Sequence, residues 1–279
     1  MARYGLIIDI SHCNGCYNCQ LACKDEFVGN DYPPYSLAQP DTGQFWMRIE
    51  ERERGKYPWV KTAYTPIPCM HCEDAPCMKN ASGGAVYRRP DGIVLINPEK
   101  SKGQKRIVSS CPYGAIYWND KSNIPQKCTF CAHLIDRGWK EPRCVEACPT
   151  LALRFGDLED PKNEVSKIIS SQKIEVLHPE HKTHPGVSYL NLPEFFIAGT
   201  IIFGDKDECG AGTKVSLFNN SGREIGARMA NGFGDFEFDG IELEGLYHLS
   251  ITAHGYETKT LPIDLKGDLF IGEVVLQPI

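Results

Sequence analysis

The chain has 279 residues, 42% of them hydrophobic, and a formal net charge of −6. That is the composition of a soluble globular protein with room for one large domain or two ordinary ones. The mild acidity gives no reason to expect nucleic acid, and no apolar run approaches the ~20 residues that span a bilayer, so no membrane anchor is expected.

In chain order, Gly5-Leu6-Ile7-Ile8-Asp9-Ile10 reads as a strand, with no secretory core, cleavage site or twin arginine before it. No export address of the chain's own is therefore expected, although a partner could supply one. The expected location is cytoplasmic. Cys13, Cys16, Cys19 and Cys23 follow in C-x2-C-x2-C-x3-C spacing, with short helical pieces expected after Cys16 and Cys19. Residues 24–68 form an insertion rich in Pro, Tyr and charge, and its alternating run from Arg48 to Arg54 reads as solvated surface rather than a docking element. Cys69, Cys72 and Cys77 then lead into a strand pair, Gly84 to Tyr87 and Gly92 to Ile96, around Pro90-Asp91. A helical piece from Gln104 to Ser110 precedes Cys111, and Gly114 to Trp118 pairs with Ile124-Pro125. Cys128, Cys131, Cys144 and Cys148 close the series before the strand-like Leu151 to Phe155.

Residues 157–195 read as an extended connector with one short helix, Glu164 to Ser171. His178, His181 and His184 recur every three residues there, but Pro179 and Pro185 prevent a regular helix from presenting them together, and a solvated linker is favoured over a ligand set. From Phe196 onward, short strands alternate with turns such as Asn219 to Gly222 and Asn231 to Asp235. Tyr247, Leu249, Ile251 and Ala253 alternate with His248, Ser250 and Thr252, which sends one apolar face inward. Cys209 is read as a plain loop thiol.

The remaining twelve of the thirteen cysteines carry the chemistry. An odd count, tight spacing and no secretory signal argue against disulfides. Zinc takes four ligands, usually as two separated pairs, and four cysteines between Cys13 and Cys23 are too many for one ion. The Cys111-Pro112 and Cys148-Pro149 endings belong to ferredoxins, where the fourth cysteine of a run ligates the other cluster. By that rule Cys13, Cys16 and Cys19 join Cys148. Cys128, Cys131 and Cys144 join Cys23, and Cys69, Cys72 and Cys77 join Cys111. A fourth cluster would need ligands near Ala81, Ser101, Gln104 and Ile107, a set that cannot bind one. Three 4Fe-4S clusters and one erased site are therefore expected. The fold class expected is α+β: two tandem ferredoxin-like modules over 1–195, then an all-β sandwich over 196–279.

From Ile8 to about Phe155, and specifically in Cys69-Met70-His71-Cys72-Glu73-Asp74-Ala75-Pro76-Cys77 and Cys111-Pro112-Tyr113-Gly114-Ala115, the chain resembles the iron–sulfur subunits of the dimethyl sulfoxide reductase family. The resemblance implies a non-catalytic electron-transfer subunit in a heterodimer, with molybdenum or tungsten bis-MGD held by a large catalytic partner. It also implies that the missing cluster is the outermost one, which in the family faces a membrane quinone site. Phe45-Trp46-Met47-Arg48-Ile49-Glu50-Glu51-Arg52-Glu53-Arg54-Gly55-Lys56-Tyr57-Pro58 and the appended β-domain are similar to the small subunits of pyrogallol–phloroglucinol-type transhydroxylases, whose chemistry involves no net oxidation. The β-domain itself resembles transthyretin-like or immunoglobulin-like modules. An electron-input subunit for a phenol or catechol dehydroxylase, and a free-standing ferredoxin-like carrier, remain as alternatives.

Overall fold

The computed structural model describes residues 2–241 and 245–279. The chain divides into two compact units, one of residues 1–51 and 64–192, the other of residues 52–63 and 193–279.

In the first unit, Tyr4–Asp9 is the central strand of a three-stranded sheet, antiparallel to Leu153–Asp157 and parallel to Val187–Leu190. A central strand covered on both faces needs a continuous apolar run, and Leu6, Ile7 and Ile8 are all buried. This pairing holds the first cysteine group beside the strand that follows the last one. The helix Asn18–Phe27 buries Cys19, Cys23 and Phe27, spaced one turn apart along one face. Phe27 packs on Trp46 with ring centroids 4.6 Å apart. Trp46 and Met47, inside the segment read as an insertion, are thus core residues.

Two short hairpins, Val86–Arg88 with Val94–Ile96 and Tyr117–Asn119 with Ile124–Gln126, follow the second and third cysteine groups. The expected helix before Cys111 shortens to Arg106–Ser109. The connector helix spans Glu164–Ser171, started by Asn163, whose side chain accepts from the Val165 N–H at 3.0 Å.

The charged run predicted to be solvated surface is instead a strand, Arg48–Lys56, paired with Trp59–Ile67. Glu50, Glu51, Arg52 and Glu53 are exposed as expected. Arg48 departs from that reading by donating to the Tyr113 carbonyl at 3.0 Å. Arg54 departs further, because its guanidinium is buried against Asp268 at 2.6 Å. Residues 52–63 belong to the second unit for this reason, with Lys61 paired to Glu237 and Asp239 and Trp59 Nε1 donating to Glu237 at 2.8 Å. Charge alternation alone does not distinguish a salt-bridged strand from a solvated one.

The rest of the second unit is two four-stranded sheets over one core. In the first, Phe195–Phe203 lies between Asp235–Ile241, antiparallel, and Leu269–Leu276, parallel. In the second, Lys214–Asn219 and Gly245–Thr252 are the inner strands, flanked by Glu224–Met229 and Lys259–Leu265. Period-two alternation drives the arrangement. Val215, Leu217, Leu249 and Ile251 from one sheet meet Ile197, Ile201, Phe236 and Phe238 from the other. Tyr247 and Ala253 pack at the margin of that core. In the turn after Asn231, Gly234 has φ +79°, and a Cβ there would lie 2.4 Å from the Ile201 carbonyl oxygen. Cys209 is exposed, but it lies in a short strand paired with Ile202 rather than in a loop.

Candidate metal centres

The twelve cysteines sort themselves by which thiols repel which. Burial raises Cys13, with Cys148 and Cys16 adding to it. Burial, then Cys13, Cys148 and Cys16, pushes Cys19 up to about 12. In the second set, burial and then Cys128 and Cys131 raise Cys23, and burial and then Cys131, Cys23 and Cys128 raise Cys144. In the third, burial and then Cys69 push Cys72 up to about 12, with Cys111 and Cys77 contributing. Burial likewise takes Cys77 up to about 11, facing Cys69 and Cys111. The structure therefore brings together Cys13, Cys16, Cys19 and Cys148; Cys23, Cys128, Cys131 and Cys144; and Cys69, Cys72, Cys77 and Cys111.

Neighbouring sets also influence one another. Cys23 and Cys144 both feel Cys19, and Cys128 feels Cys69. The second set is wholly buried, whereas Cys16 of the first set is exposed.

Backbone geometry shapes each site. In three of the four C-x2-C spacings the residue before the second cysteine is left-handed, namely Gly15, His71 and Phe130, at φ 69°, 44° and 51°; between Cys16 and Cys19 it is Tyr17, at φ 61°. That turns successive N–H groups toward sulfur. His71 N–H reaches Cys69 Sγ at 3.5 Å and Phe130 N–H reaches Cys128 Sγ at 3.4 Å. A Cβ on Gly15 would lie 2.6 Å from the Tyr64 ring, so this position admits only glycine. After the two Cys-Pro pairs, Gly114 and Leu151 are left-handed in equivalent places, and Ala115 N–H donates to Cys111 Sγ at 3.4 Å. Burial would raise Cys148, but donors from Leu153, Thr150 and Ala152 outweigh it and lower the thiol.

These donor sets fit iron–sulfur clusters. Buried thiols held so far above their ordinary range become thiolates only when a cation core compensates them. Among the described residues, the only three ligand atoms within 4.8 Å of one another are those of His178, Glu180 and His181. His71 Nε2 and Thr129 Oγ1, both beside ligand cysteines, are buried polar atoms with no protein partner, as donors facing cluster sulfide would be. His71 is held well below its ordinary pKa by burial, then by Lys127 and Arg88. Its Nδ1 accepts from the Val94 N–H at 3.0 Å, which leaves the proton on Nε2.

The positions at which a fourth cluster would need ligands are engaged by protein. Gln104 Oε1 accepts from the Ser82 N–H at 2.9 Å and its hydroxyl at 3.1 Å, while Nε2 donates to the Lys100 carbonyl at 2.7 Å. Ser101 is fully buried with its hydroxyl on the Pro98 carbonyl at 3.3 Å. Ile107 is fully buried, and Ala81 packs against the same core.

In the connector, His178 pairs with Glu180 at 3.0 Å and stacks on His181, but His184 turns to Asp74 at 2.7 Å, so the three histidines do not converge. Sequence reasoning missed Lys127, which is buried beside the second and third sets. Its neighbours Gln126 and Cys128 gave no local sign of burial.

A 4Fe-4S dicluster domain family matches residues 60–158. The pyrogallol hydroxytransferase small subunit of Pelobacter acidigallici is 43% identical over 95% of this chain and 97% of its own length. A sulfite dehydrogenase subunit of Allochromatium vinosum is 37% identical, covering 68% of this chain and 83% of itself. The arsenate respiratory reductase iron–sulfur subunit of Shewanella sp. ANA-3 is 33% identical, covering 67% of this chain and 96% of itself. With its cysteine sets and these relatives together, the chain belongs to the iron–sulfur subunits of the dimethyl sulfoxide reductase family of molybdopterin enzymes.

Proposed function

We propose that the three cysteine sets each hold one 4Fe-4S cluster, within two tandem ferredoxin-like modules, and that the clusters form a short line ending at Cys69, Cys72, Cys77 and Cys111. The chain then serves a large subunit carrying molybdenum or tungsten bis-MGD, in a cytoplasmic heterodimer acting on polyhydroxylated aromatics in the manner of a transhydroxylase. The clusters supply one-electron redox capacity. This chain's residues hold them, donate N–H groups to their sulfurs and exclude water.

The observation that carries this reading is the packed fourth site. In the resembled family this position holds the cluster that faces a quinone site, whereas here Ser101 and Ile107 are buried and Gln104 is hydrogen-bonded to Ser82, so no ligand set is present. The relatives support the same choice. The reductase and dehydrogenase subunits leave about a third of this chain unmatched, whereas the pyrogallol hydroxytransferase subunit matches nearly all of it. Among the described residues no helix is long and apolar enough to cross a membrane. Cys16 is exposed in the first set, with Leu21 and Leu151 exposed at 58% and 64%, and this is the face on which the large subunit is proposed to dock.

The test is turnover by the complex purified with its large subunit. Conversion of one polyphenol into another with no added donor or acceptor is expected. Activity strictly dependent on a reductant would overturn transhydroxylation in favour of a phenol-reducing enzyme.

A further inference from the structure

The connector holds a second kind of donor set. Pro179–His181 is a single 3-10 turn, bracketed by His178 and Lys182, both left-handed at φ 53° and 51°. Three residues per turn place positions i and i+3 one above the other. His178 and His181 therefore share a side, their rings stacked with centroids 5.1 Å apart. Glu180 joins them, its Oε1 3.0 Å from His178 Nδ1. One ligand atom from each of the three lies within 4.8 Å of the others. Proline excludes the regular helix that the spacing needs, but one tight turn brings the side chains together without it.

This geometry is close to that around a tetrahedral ion. Bonds of ~2.1 Å at a tetrahedral angle put neighbouring ligand atoms about 3.4 Å apart and imidazole centroids about 5 Å apart. Two neutral imidazoles and one carboxylate carry a single negative charge, which a divalent cation offsets. Nitrogen donors select zinc-like transition metals over calcium or magnesium, which take oxygen ligands. Three protein ligands leave a fourth position for water. His178 also lines an open pocket of about 470 Å³ with Arg3, Glu73, Tyr113 and Lys182, which gives solvent a path to the site.

The turn is tied down on both sides. Before it, Glu175 and Tyr189 exchange backbone hydrogen bonds at 2.8 and 2.9 Å. After it, the Glu73 and Asp74 N–H groups donate to the His184 and Thr183 carbonyls at 2.8 and 3.0 Å. The Tyr113 ring stands edge-on to His181 with centroids 5.3 Å apart, and its hydroxyl shares a hydrogen bond with Thr183 Oγ1 at 2.7 Å. His184 is held by Asp74 and takes no part.

We propose that His178, Glu180 and His181 bind one divalent transition-metal ion of the zinc class, and that the ion pins the connector turn over Tyr113. The inference is independent of the cluster assignment. Binding displaces the proton between His178 Nδ1 and the Glu180 carboxylate and involves no redox change.

The test uses the whole complex, dialysed free of loosely bound metal, with zinc as the probe. Native protein is compared with His178→Ala, His181→Ala and Glu180→Gln, and with His184→Ala as a control; iron content and melting temperature are measured on each before zinc is added. Removing even a group that only orients a ligand costs about 10–100-fold in metal affinity. The native complex should therefore take up about one zinc per chain that the three ligand variants bind at least about tenfold more weakly, while His184→Ala binds as native does. X-ray absorption of that zinc should show nitrogen and oxygen at ~2.0–2.1 Å and no sulfur at ~2.3 Å. Saturating zinc should slow tryptic cleavage after Lys182 about tenfold or more in native protein and not in the ligand variants. Equal uptake by native and ligand variants, sulfur bound to the zinc, an equal loss in His184→Ala, or binding only at millimolar zinc would each overturn the proposal. Glu180→Gln, nearly isosteric and exposed, keeps the comparison valid where a histidine variant melts early.

Discussion

Cys19 and Cys23 stand one helical turn apart on the buried face of Asn18–Phe27, and we propose that they serve different ligand sets. One short helix therefore fixes the spacing between two proposed clusters. Cys23→Ser should remove about four iron atoms per chain and leave the signals of the first and third sets, while Cys19→Ser should remove the first set alone. Loss of all iron from either variant would contradict independent sets. Iron analysis with EPR of the dithionite-reduced protein checks this.

The packed fourth site should behave as hydrophobic core. Ile107 is fully buried, so Ile107→Ala should cost about 2–5 kcal/mol. Gln104→Ala removes hydrogen bonds to the exposed Ser82 that water can replace, and should cost no more than about 1 kcal/mol. Thermal melts followed by cluster absorbance should show both losses with no iron lost at 25 °C. An unchanged melting temperature for Ile107→Ala would mean that the site is not packed as described.

In the second unit, Arg54 and Asp268 form a buried pair with side chains 9% and 6% exposed. Asp268→Ala leaves the guanidinium buried and unpaired, at a cost of about 3–5 kcal/mol. Faster proteolysis within residues 52–63 is the expected readout, and a cleavage rate equal to native would refute it.

Asp136 is held below its ordinary pKa chiefly by Arg89, which grips both carboxylate oxygens at 2.6 and 2.8 Å, with Tyr35 donating at 2.5 Å. Because the folded pKa is the lower one, the stability it contributes is fully present above the unfolded value near 3.9 and is lost as pH falls through the folded value. The melting-temperature gap between native and Asp136→Asn should therefore be constant from pH 5 to 8 and shrink below about pH 4. A gap that grows on acidification would reverse the sign of this linkage.

Much of this was legible in the sequence because cysteine spacing and strand alternation are local signals. The run from Glu164 to Ser171 read as a helix, and Leu249 with Ile251 marked a buried face. The left-handed turns at His71, Phe130 and Leu151 were not legible, since non-glycine residues adopt them only where the surrounding structure demands it. Nor was the fate of Arg54 and Lys127. Their partners, Asp268 for one and Val94 with Cys128 for the other, are set by tertiary packing rather than by neighbours in a periodic pattern.

The measurement closest to the central claim is native mass spectrometry of this chain with its clusters retained, alongside iron and acid-labile sulfide analysis. Three 4Fe-4S clusters, about twelve iron and twelve sulfide per chain, are expected. About sixteen of each would place a cluster where Gln104, Ser82 and Ile107 now pack, and would contradict it.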